Sequence, residues 1–505
     1  MSIVYLVGAG PGDPGLITLR AKELIERADI LVYDYLANKE FLDYASPDCE
    51  IIYVGKKGGD HTLPQEGINA LLVEKALEEE GRIIVRLKGG DPYVFGRGAE
   101  EAEELVEAGV AFEVVPGVTS AVAAPAYAGI PITHRRFASS VSFITGHEDP
   151  TKEDSAINWA AHASSGATLI FFMGVKNLPT IASQLVAHGM RSDMPCALVH
   201  WGTTCRQKSF VSTLANVASD AEALGYKAPS LIIVGEVCSL KDSLDWYEMK
   251  PLLGVGVVVT RAREQASDLS AGLRELGACC IEFPTIEIAP VEDDSLAREA
   301  VGRLADYDWL VFTSVNGVLR FWDILDEAGL DARALATAKV AAIGPATAQA
   351  LCARGIRPDF VPERYVAEDV VEGLLAMGVS GARVLIPRAQ VAREVLPEKL
   401  AEAGAEVTIA PVYETRLTKA DPEPVLKGLD KGEIQFVTFT SSSTVENFFA
   451  RIPPETFAPY RERVKLACIG PVTAKTLSRF GYTPDVEAEE YTIPGLIEAL
   501  MASVS

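Results

Sequence analysis

VAAIGPATAQALCARGIRPDFVPERYVAEDVVEGLLA, spanning Val340 to Ala376, returns as LACIGPVTAKTLSRFGYTPDVEAEEYTIPGLIEALMA, spanning Leu466 to Ala502. The match holds upstream at a register of about 127 residues. LVFTSVNGVLRF (Leu310 to Phe321) returns as FVTFTSSSTVENFF (Phe436 to Phe449), and VVVTRA (Val257 to Ala262) pairs with VLIPRA (Val384 to Ala389). Three blocks in one order imply two copies of a supersecondary unit. Two such copies facing each other make a cleft with equivalent loops on both walls. The first half carries no trace of the repeat and a different, glycine-rich pattern, so the chain reads as two catalytic machines in series.

A length of 505 residues suggests about three to four domains. The composition, 48% hydrophobic and 23% charged, is that of an ordinary globular protein. A net charge of -24 argues against a nucleic-acid partner. No apolar run reaches the roughly 18 residues of a membrane span. The start at Ile3 is strand-like, without a basic region or cleavage site, so no secretory signal is expected. Eight cysteines without a CxxC pair read as reduced core residues of a cytoplasmic protein. All six histidines lie before residue 201, so the repeated half has none for acid–base work and no expected metal site. Its chemistry must rest on hydroxyls, backbone amides and basic side chains.

Apolar runs such as IVYLVGAG, DILVYDYL and GRIIVRLKGG alternate with amphipathic stretches, the pattern of an α/β layer. IVYLV leads into a glycine-rich turn, with a helix expected from about Leu16. A second α/β block begins near Phe137, with SVSFITG, ATLIFFMG, PCALVHWG and SLIIVGEV as strands. This divides the first half into lobes of about 1–134 and 135–245. A linker at 246–251 follows, where Trp246 and Tyr247 are expected to dock on a neighbouring surface. For the repeated half, 252–505, we expect one discontinuous lobe, about 252–285 plus 416–505, and another of 286–413.

Gly8, Gly10 and Gly12 invite comparison with a dinucleotide fold, but the G-x-G-x-x-G spacing is absent and position 13 is Asp. A tight strand–helix turn needs small residues for its own sake. A second loop, VRLKGGDPYVFGRGAEEAEEL (Val85 to Leu105), closes a strand with Gly89, Gly90 and Asp91. A third, VVPGVTSAVAAPAYAGIPITHR (Val114 to Arg135), sets Thr119 and Ser120 at a helix start, where free N–H groups accept polar ligands. Together with VGAGPGDPG, VYDYL, VGK and LPQEGIN, these loops resemble the tetrapyrrole methyltransferase family, and most closely its uroporphyrinogen-III C-methyltransferases, over about residues 2–245. The resemblance implies transfer of two methyl groups from S-adenosylmethionine to uroporphyrinogen III, giving precorrin-2. It implies cofactor binding by Pro11, Gly89, Gly90, Asp91, Val94, Thr119, Ser120, Met173, Gly202 and Ala228, with the cofactor between lobes. It makes Asp34 the proton acceptor and Lys56 the proton donor; read alone, Asp34 is as well a turn aspartate and Lys56 a solvated lysine. Arg135 and Arg136 read as forks for substrate carboxylates or as exposed loop arginines. The family also implies a homodimer through this half.

In the repeated half, GPATA and GPVTA place Thr347 and Thr473 at helix starts that offer N–H groups and a hydroxyl to an anion. Ser314 and Ser442 follow strands in the same way. With VVVTRA, TSVNGV, PVYETRL and FTSSSTVENF, residues 252–503 resemble uroporphyrinogen-III synthase. That family cyclises hydroxymethylbilane with inversion of one pyrrole ring and no cofactor, a task of positioning. The resemblance gives Tyr413 a part in departure of the substrate hydroxyl, and gives Thr347 and Thr473 places in the cleft; a buried strand tyrosine is the plainer reading of Tyr413. The expected chain is therefore an α/β fusion, a two-lobed tetrapyrrole methylase followed by a two-lobed synthase of repeated units, acting on tetrapyrroles for siroheme or cobalamin. Its rival is a different corrinoid methylase fused to a non-catalytic tetrapyrrole-binding module. No dehydrogenase–ferrochelatase segment is seen before Met1, which leaves the end product open.

Overall fold

The computed structural model describes residues 2–55, 63–147, 156–260, 263–362, 367–392, 394–418 and 420–504. The chain divides into two compact units, chiefly Met1–Val255 with Leu273–Cys279, and Gly256–Gly272 with Cys280–Ser503.

The first unit holds two sheets. Strands β1 (Ile3–Gly8), β2 (Ile30–Tyr33), β3 (Glu50–Tyr53), β4 (Ile83–Lys88) and β5 (Ala111–Val115) form an all-parallel sheet in the order β3-β2-β4-β1-β5. Successive side chains of a strand point to opposite faces, so a sheet covered on both sides needs near-continuous apolar strands. Val4, Leu6, Ile30, Val32 and Ile84 accordingly pack with Leu72 and Leu105 of the helices Gln65–Glu78 and Gly98–Glu107. Tyr5, Val7, Leu31, Val85 and Leu87 pack on the other face with Leu24 and Ile25 of the helix Leu19–Glu26. That helix starts later than the expected Leu16. Pro14–Leu16 is a 3-10 turn held by Asp13, whose carboxylate accepts the Gly15 N–H (2.7 Å), and Thr18 is the true cap, accepting the Ala21 N–H (3.2 Å).

The second sheet combines β6 (Val141–Thr145), β7 (Thr168–Phe172), β8 (Pro195–His200), β9 (Lys208–Thr213) and β10 (Ser230–Val234) in the order β6-β7-β10-β8-β9. β10 runs antiparallel to both β7 and β8, so the start of β10 lies beside the ends of those strands. The edge strand β9, KSFVST, escapes an apolar-run reading because its residues are mostly polar. Beyond β10, Trp246 donates its indole N–H to the Ala126 carbonyl (3.0 Å), and Tyr247, 6% exposed, packs its ring 4.8 Å from that of Tyr127.

The repeated half supplies ten strands among the described residues: β11 (Gly256–Val259), β12 (Cys279–Glu282), β13 (Ile286–Ala289), β14 (Trp309–Phe312), β15 (Lys339–Ala342), β16 (Arg383–Ala389), β17 (Glu406–Leu417), β18 (Phe436–Phe439), β19 (Lys465–Cys468) and β20 (Val486–Glu487). One sheet runs β12-β11-β18-β19-β20 and the other β13-β17-β16-β14-β15. The repeat is visible in three dimensions: β12-β11-β18-β19 in the first matches β17-β16-β14-β15 in the second. Of these four matched strands, each sheet takes two from each copy. The chain passes between the sheets at Thr285 and Thr418, both buried; the Thr285 hydroxyl donates to the Thr260 carbonyl (3.0 Å) and the Thr418 hydroxyl to the Pro284 carbonyl (2.5 Å).

The reading of all eight cysteines as reduced and buried is corrected. Cys205 and Cys279 form a disulfide, their Cα atoms 5.3 Å apart, and Cys352 is exposed. Their separation of 74 residues hides this pair from any short-range spacing rule. Among the described residues no helix is long and apolar enough to cross a membrane.

Candidate functional site

The loops after β1, β4 and β5 leave the same edge of the first sheet, the carboxyl ends of three adjacent strands, where open α/β sheets bind ligands. They meet backbone to backbone. Gly10 and Gly90 exchange hydrogen bonds (Gly10 N–H to Gly90 O 3.1 Å, Gly90 N–H to Gly10 O 2.7 Å). A methyl group on Gly117 would lie 2.2 Å from the Gly90 oxygen, and one on Gly8 2.5 Å from the Gly117 Cα. Only glycine fits, and Gly10 and Gly90 also have φ of +74° and +70°. Asp91 ties the second loop to the third: its carboxylate accepts N–H groups from Tyr93 (2.8 Å), Val94 (3.1 Å) and Gly117 (3.1 Å). Thr119 caps the helix Ser120–Tyr127, whose free N–H groups face the same edge as the loops.

The second sheet turns its own strand ends to this edge. A methyl group on Gly202 would sit 2.3 Å from the Ala124 Cβ, and one on Gly12 2.7 Å from the Thr204 Cγ2, so the two lobes join through small residues. Rings bridge them at Phe95–Phe172 (4.9 Å) and Tyr35–Trp201 (6.1 Å). Met173 (φ +55°), Trp201 (φ +48°) and Thr203 (φ +68°) are held in the left-handed region, which costs a non-glycine residue about 1 kcal/mol or more and collects at functional sites. Met173 is 55% exposed at the end of β7; Gly202 follows β8; Ala228 precedes β10, and the antiparallel course of β10 brings it to the same edge. The expected positions from both lobes therefore gather on one edge.

Thr203 was missed by the sequence reading. It is 2% exposed; its N–H donates to the Gln207 side-chain oxygen (2.7 Å) and its hydroxyl accepts the Asp13 N–H (3.1 Å). Tyr127 donates to the Asp13 carboxylate (2.6 Å), and burial, reinforced by that carboxylate, holds its phenol well above the usual range. HWGTTC after a strand is the one available signal, and it is weak.

Asp34 follows β2, half-buried. Its Oδ1 accepts the Leu36 N–H (3.1 Å), and its Oδ2 accepts from Arg86 Nη2 (3.1 Å). Behind it lies a cluster that the sequence reading also passed over: Arg86 (3% exposed), Lys88 (3%) and Glu101 (0%). Burial, helped by the Arg86 charge, pushes the Lys88 ammonium below its ordinary value despite the adjacent Glu101. The legible signal was IIVRLK, a central strand with two cations at alternate positions of one face. Lys56 lies outside the described residues. Arg135 and Arg136 are exposed, and the Arg136 guanidinium covers the Phe137 ring at 5.2 Å.

In the repeated half, Ser314 caps the helix Val315–Glu327, accepting the Gly317 N–H (3.0 Å), and shares a hydrogen bond with the Tyr413 hydroxyl (3.1 Å). A register shift opposite Arg388 and Ala389, where Val412 is the extra residue, re-aims β17 next to Tyr413. Tyr413 is 8% exposed and belongs to the core around Phe312 and Phe321, as the plainer reading of it expects. Ser442 needs correction as the partner of Ser314. The cap of the helix Ser442–Arg451 is Ser441, which accepts the Thr444 N–H (3.3 Å); Ser442 is the next residue, so its side chain leaves the turn and accepts from the Thr476 hydroxyl (2.8 Å). Thr347 and Thr473 are the third residues of the helices Pro345–Ala353 and Pro471–Ser478, and both are buried at 4% exposure.

Loops meeting at the carboxyl edge of a parallel sheet, closed over by a second α/β lobe, define a two-lobed α/β protein with a small-molecule site at that edge. The family profile described as Tetrapyrrole (Corrin/Porphyrin) Methylases matches residues 3–218, and that described as Uroporphyrinogen-III synthase HemD matches 267–498. A Ruminiclostridium josui protein named "Porphyrin biosynthesis protein HemD" is 40% identical over 500 residues, 99% of this chain and 97% of that protein. The "S-adenosyl-L-methionine-dependent uroporphyrinogen III methyltransferase" of Methanosarcina barkeri is 55% identical over 241 residues, 48% of this chain and 94% of that protein. The crystal structure of Uroporphyrin-III C-methyl transferase from Thermus thermophilus complexed with S-adenyl homocysteine matches 47% of this chain and 98% of that one, at 38% identity and a TM-score of 0.40. The chain belongs to the family of fused tetrapyrrole methylases and uroporphyrinogen-III synthases. It is an enzyme with a methyltransferase half and a synthase half.

Proposed function

We propose that the synthase half cyclises hydroxymethylbilane to uroporphyrinogen III, and that the methylase half converts this product to precorrin-2 by two transfers from S-adenosylmethionine. The observation that carries the methylase reading is the back-to-back packing of Gly8, Gly90 and Gly117, which leaves a cradle of bare backbone at the sheet edge. That cradle suits a nucleoside ligand that needs close main-chain approach. Pro11, Gly89, Gly90, Asp91, Val94, Thr119 and Ser120 would hold it from one lobe, and Met173, Gly202 and Ala228 from the other. S-adenosylmethionine, when bound, supplies an electrophilic sulfonium methyl. The chain's part is to orient the acceptor pyrrole and take up its proton. Asp34, half-buried at the same edge with one oxygen on Arg86, suits the second task. The rings of Tyr35 and Phe95 contact Trp201 and Phe172 of the second lobe beside it.

For the synthase half, the hydrogen-bonded pair Ser314–Tyr413 supports a hydroxyl-based site that assists departure of the substrate hydroxyl. Folding the linear tetrapyrrole so that the correct carbon attacks supplies most of the rate. The deciding experiment incubates the purified chain with hydroxymethylbilane and S-adenosylmethionine and measures product mass and isomer. A mass gain of two methyl groups on the type III isomer supports both activities. A type I product sinks the synthase reading, and no methyl gain when uroporphyrinogen III is supplied directly sinks the methylase reading.

A further inference from the structure

The first sheet carries a buried ionic cluster directly behind Asp34. On one face of β4 the apolar row ends at Ile84 and continues as Arg86 and Lys88; in the β2–β4 register Val32 sits opposite Arg86, which sets Asp34 level with Lys88. Glu101, on the helix Gly98–Glu107, faces this row with 0% exposure. Its Oε1 accepts from Lys88 Nζ (2.6 Å), Arg86 Nε (3.2 Å) and Gln65 Nε2 (3.2 Å). Arg86 is then fixed on three sides: Nε on Glu101, Nη1 on the Leu87 carbonyl (3.1 Å) and Nη2 on Asp34 Oδ2 (3.1 Å).

Such a cluster is a poor device for stability alone. Ions taken out of water recover their lost hydration only with full pairing, and apolar residues of like size commonly serve as well. Here pairing is incomplete, because among the described residues Glu101 Oε2 has no hydrogen-bond partner. What the cluster does supply is direction. A planar fork with its Nε held from behind presents Nη2 at one place, whereas an unanchored arginine samples many rotamers.

We propose that Glu101 is a positioning residue for methyl transfer, acting through Arg86 to fix the Asp34 carboxylate. The proposal rests on the reading of Asp34 as proton acceptor. Lys88 is a second cation buried beside Arg86, and Glu101 is the counter-charge the two share; Gln65 joins Asn69 to the same oxygen of Glu101.

The test uses the full chain, supplied with uroporphyrinogen III and S-adenosylmethionine, and reads kcat, KM, cofactor affinity by calorimetry and the thermal midpoint. Glu101→Gln is expected to lower kcat by about tenfold to a hundredfold while KM and cofactor affinity stay within about twofold, the pattern of an interaction needed only for the chemical step. Because a lone buried Lys88 destabilises, the double change E101Q with K88M removes both charges; its midpoint should recover while kcat stays low. Recovery of kcat together with the midpoint would show a purely structural role and overturn the proposal. On an Asp34→Asn background, Glu101→Gln should lower kcat no further, since the two act as one unit. A full additional loss there also overturns it. Wild-type kcat in Asp34→Asn alone would instead overturn the reading of Asp34, a result separate from either of the others.

Discussion

In the methylase half, three loops are locked by main chain: Gly10 pairs with Gly90, and Gly117 lies so close to the Gly90 oxygen that a methyl group would come within 2.2 Å. In the repeated half, the comparable turns at Ser314 and Ser441 are held by side-chain caps, and their glycines are few. A backbone-packed site tolerates no added atom, whereas a capped turn loses one hydrogen bond and keeps its shape. The difference teaches where each half is brittle. It also explains why the first half announces itself in long motifs and the second in short ones.

The largest expected effect is therefore Gly117→Ala. The added methyl must displace either the Gly90 carbonyl or Gly8, and both are backbone. Overpacking of this kind costs about 1–3 kcal/mol locally and opens the cradle. Cofactor binding by calorimetry should fall by about a hundredfold or more, while cyclisation of hydroxymethylbilane by the same protein changes little. Micromolar affinity retained in this variant would break the contrast between the halves.

Asp91→Ala comes next. It strands three N–H groups, of Tyr93, Val94 and Gly117, of which the last two lie in partly buried surroundings. The expected loss is about 2 kcal/mol in the methylase unit, seen as an earlier thermal transition, with weaker cofactor binding in train. An unchanged transition would mean that the loops hold without their carboxylate tie.

These two sites show what a sequence carries and what it does not. Gly89, Gly90 and Asp91 were legible because one backbone demand forces several adjacent residues at once. The repeat at 340–376 and 466–502 was legible for a similar reason, since β15 and β19, with the helices after them, need the same apolar periodicity. Glu101 was not: it sits among Glu100, Glu103 and Glu104, and nothing local tells the one inward carboxylate from its solvated neighbours. Ser441 was lost among three consecutive serines, where a cap is decided by the φ of one residue, here -163°. The Cys205–Cys279 bond depends on a contact across 74 residues, which periodicity cannot reach.

Tyr413→Phe probes the gentler half. It removes one hydroxyl, leaves the ring in the core around Phe312, and frees Ser314 to keep its cap on Gly317. Cyclisation should slow by about threefold to tenfold, equivalent to about 1 kcal/mol, with the type III isomer still formed. Loss of isomer specificity would move Tyr413 from assisting departure to folding the substrate. An unchanged rate would leave it a buried strand tyrosine.

The smallest effect, and the finest test, compares Ser314→Ala with Ser441→Ala. Each removes a helix cap from an equivalent turn in the two copies, and each should cost about 1 kcal/mol of stability. The copies differ in what else the hydroxyl meets. Ser314 shares its hydrogen bond with Tyr413, whereas Ser441 meets Ser443 (2.9 Å) within its own capping box. Equal losses in thermal midpoint should therefore accompany unequal losses in rate: cyclisation slows by about threefold in Ser314→Ala and stays near wild type in Ser441→Ala. Equal slowing in both would assign the effect to helix fraying and remove the Ser314–Tyr413 pair from the chemistry. Slowing in Ser441→Ala alone would place the working turn in the other copy, where β18 rather than β14 leads into the site.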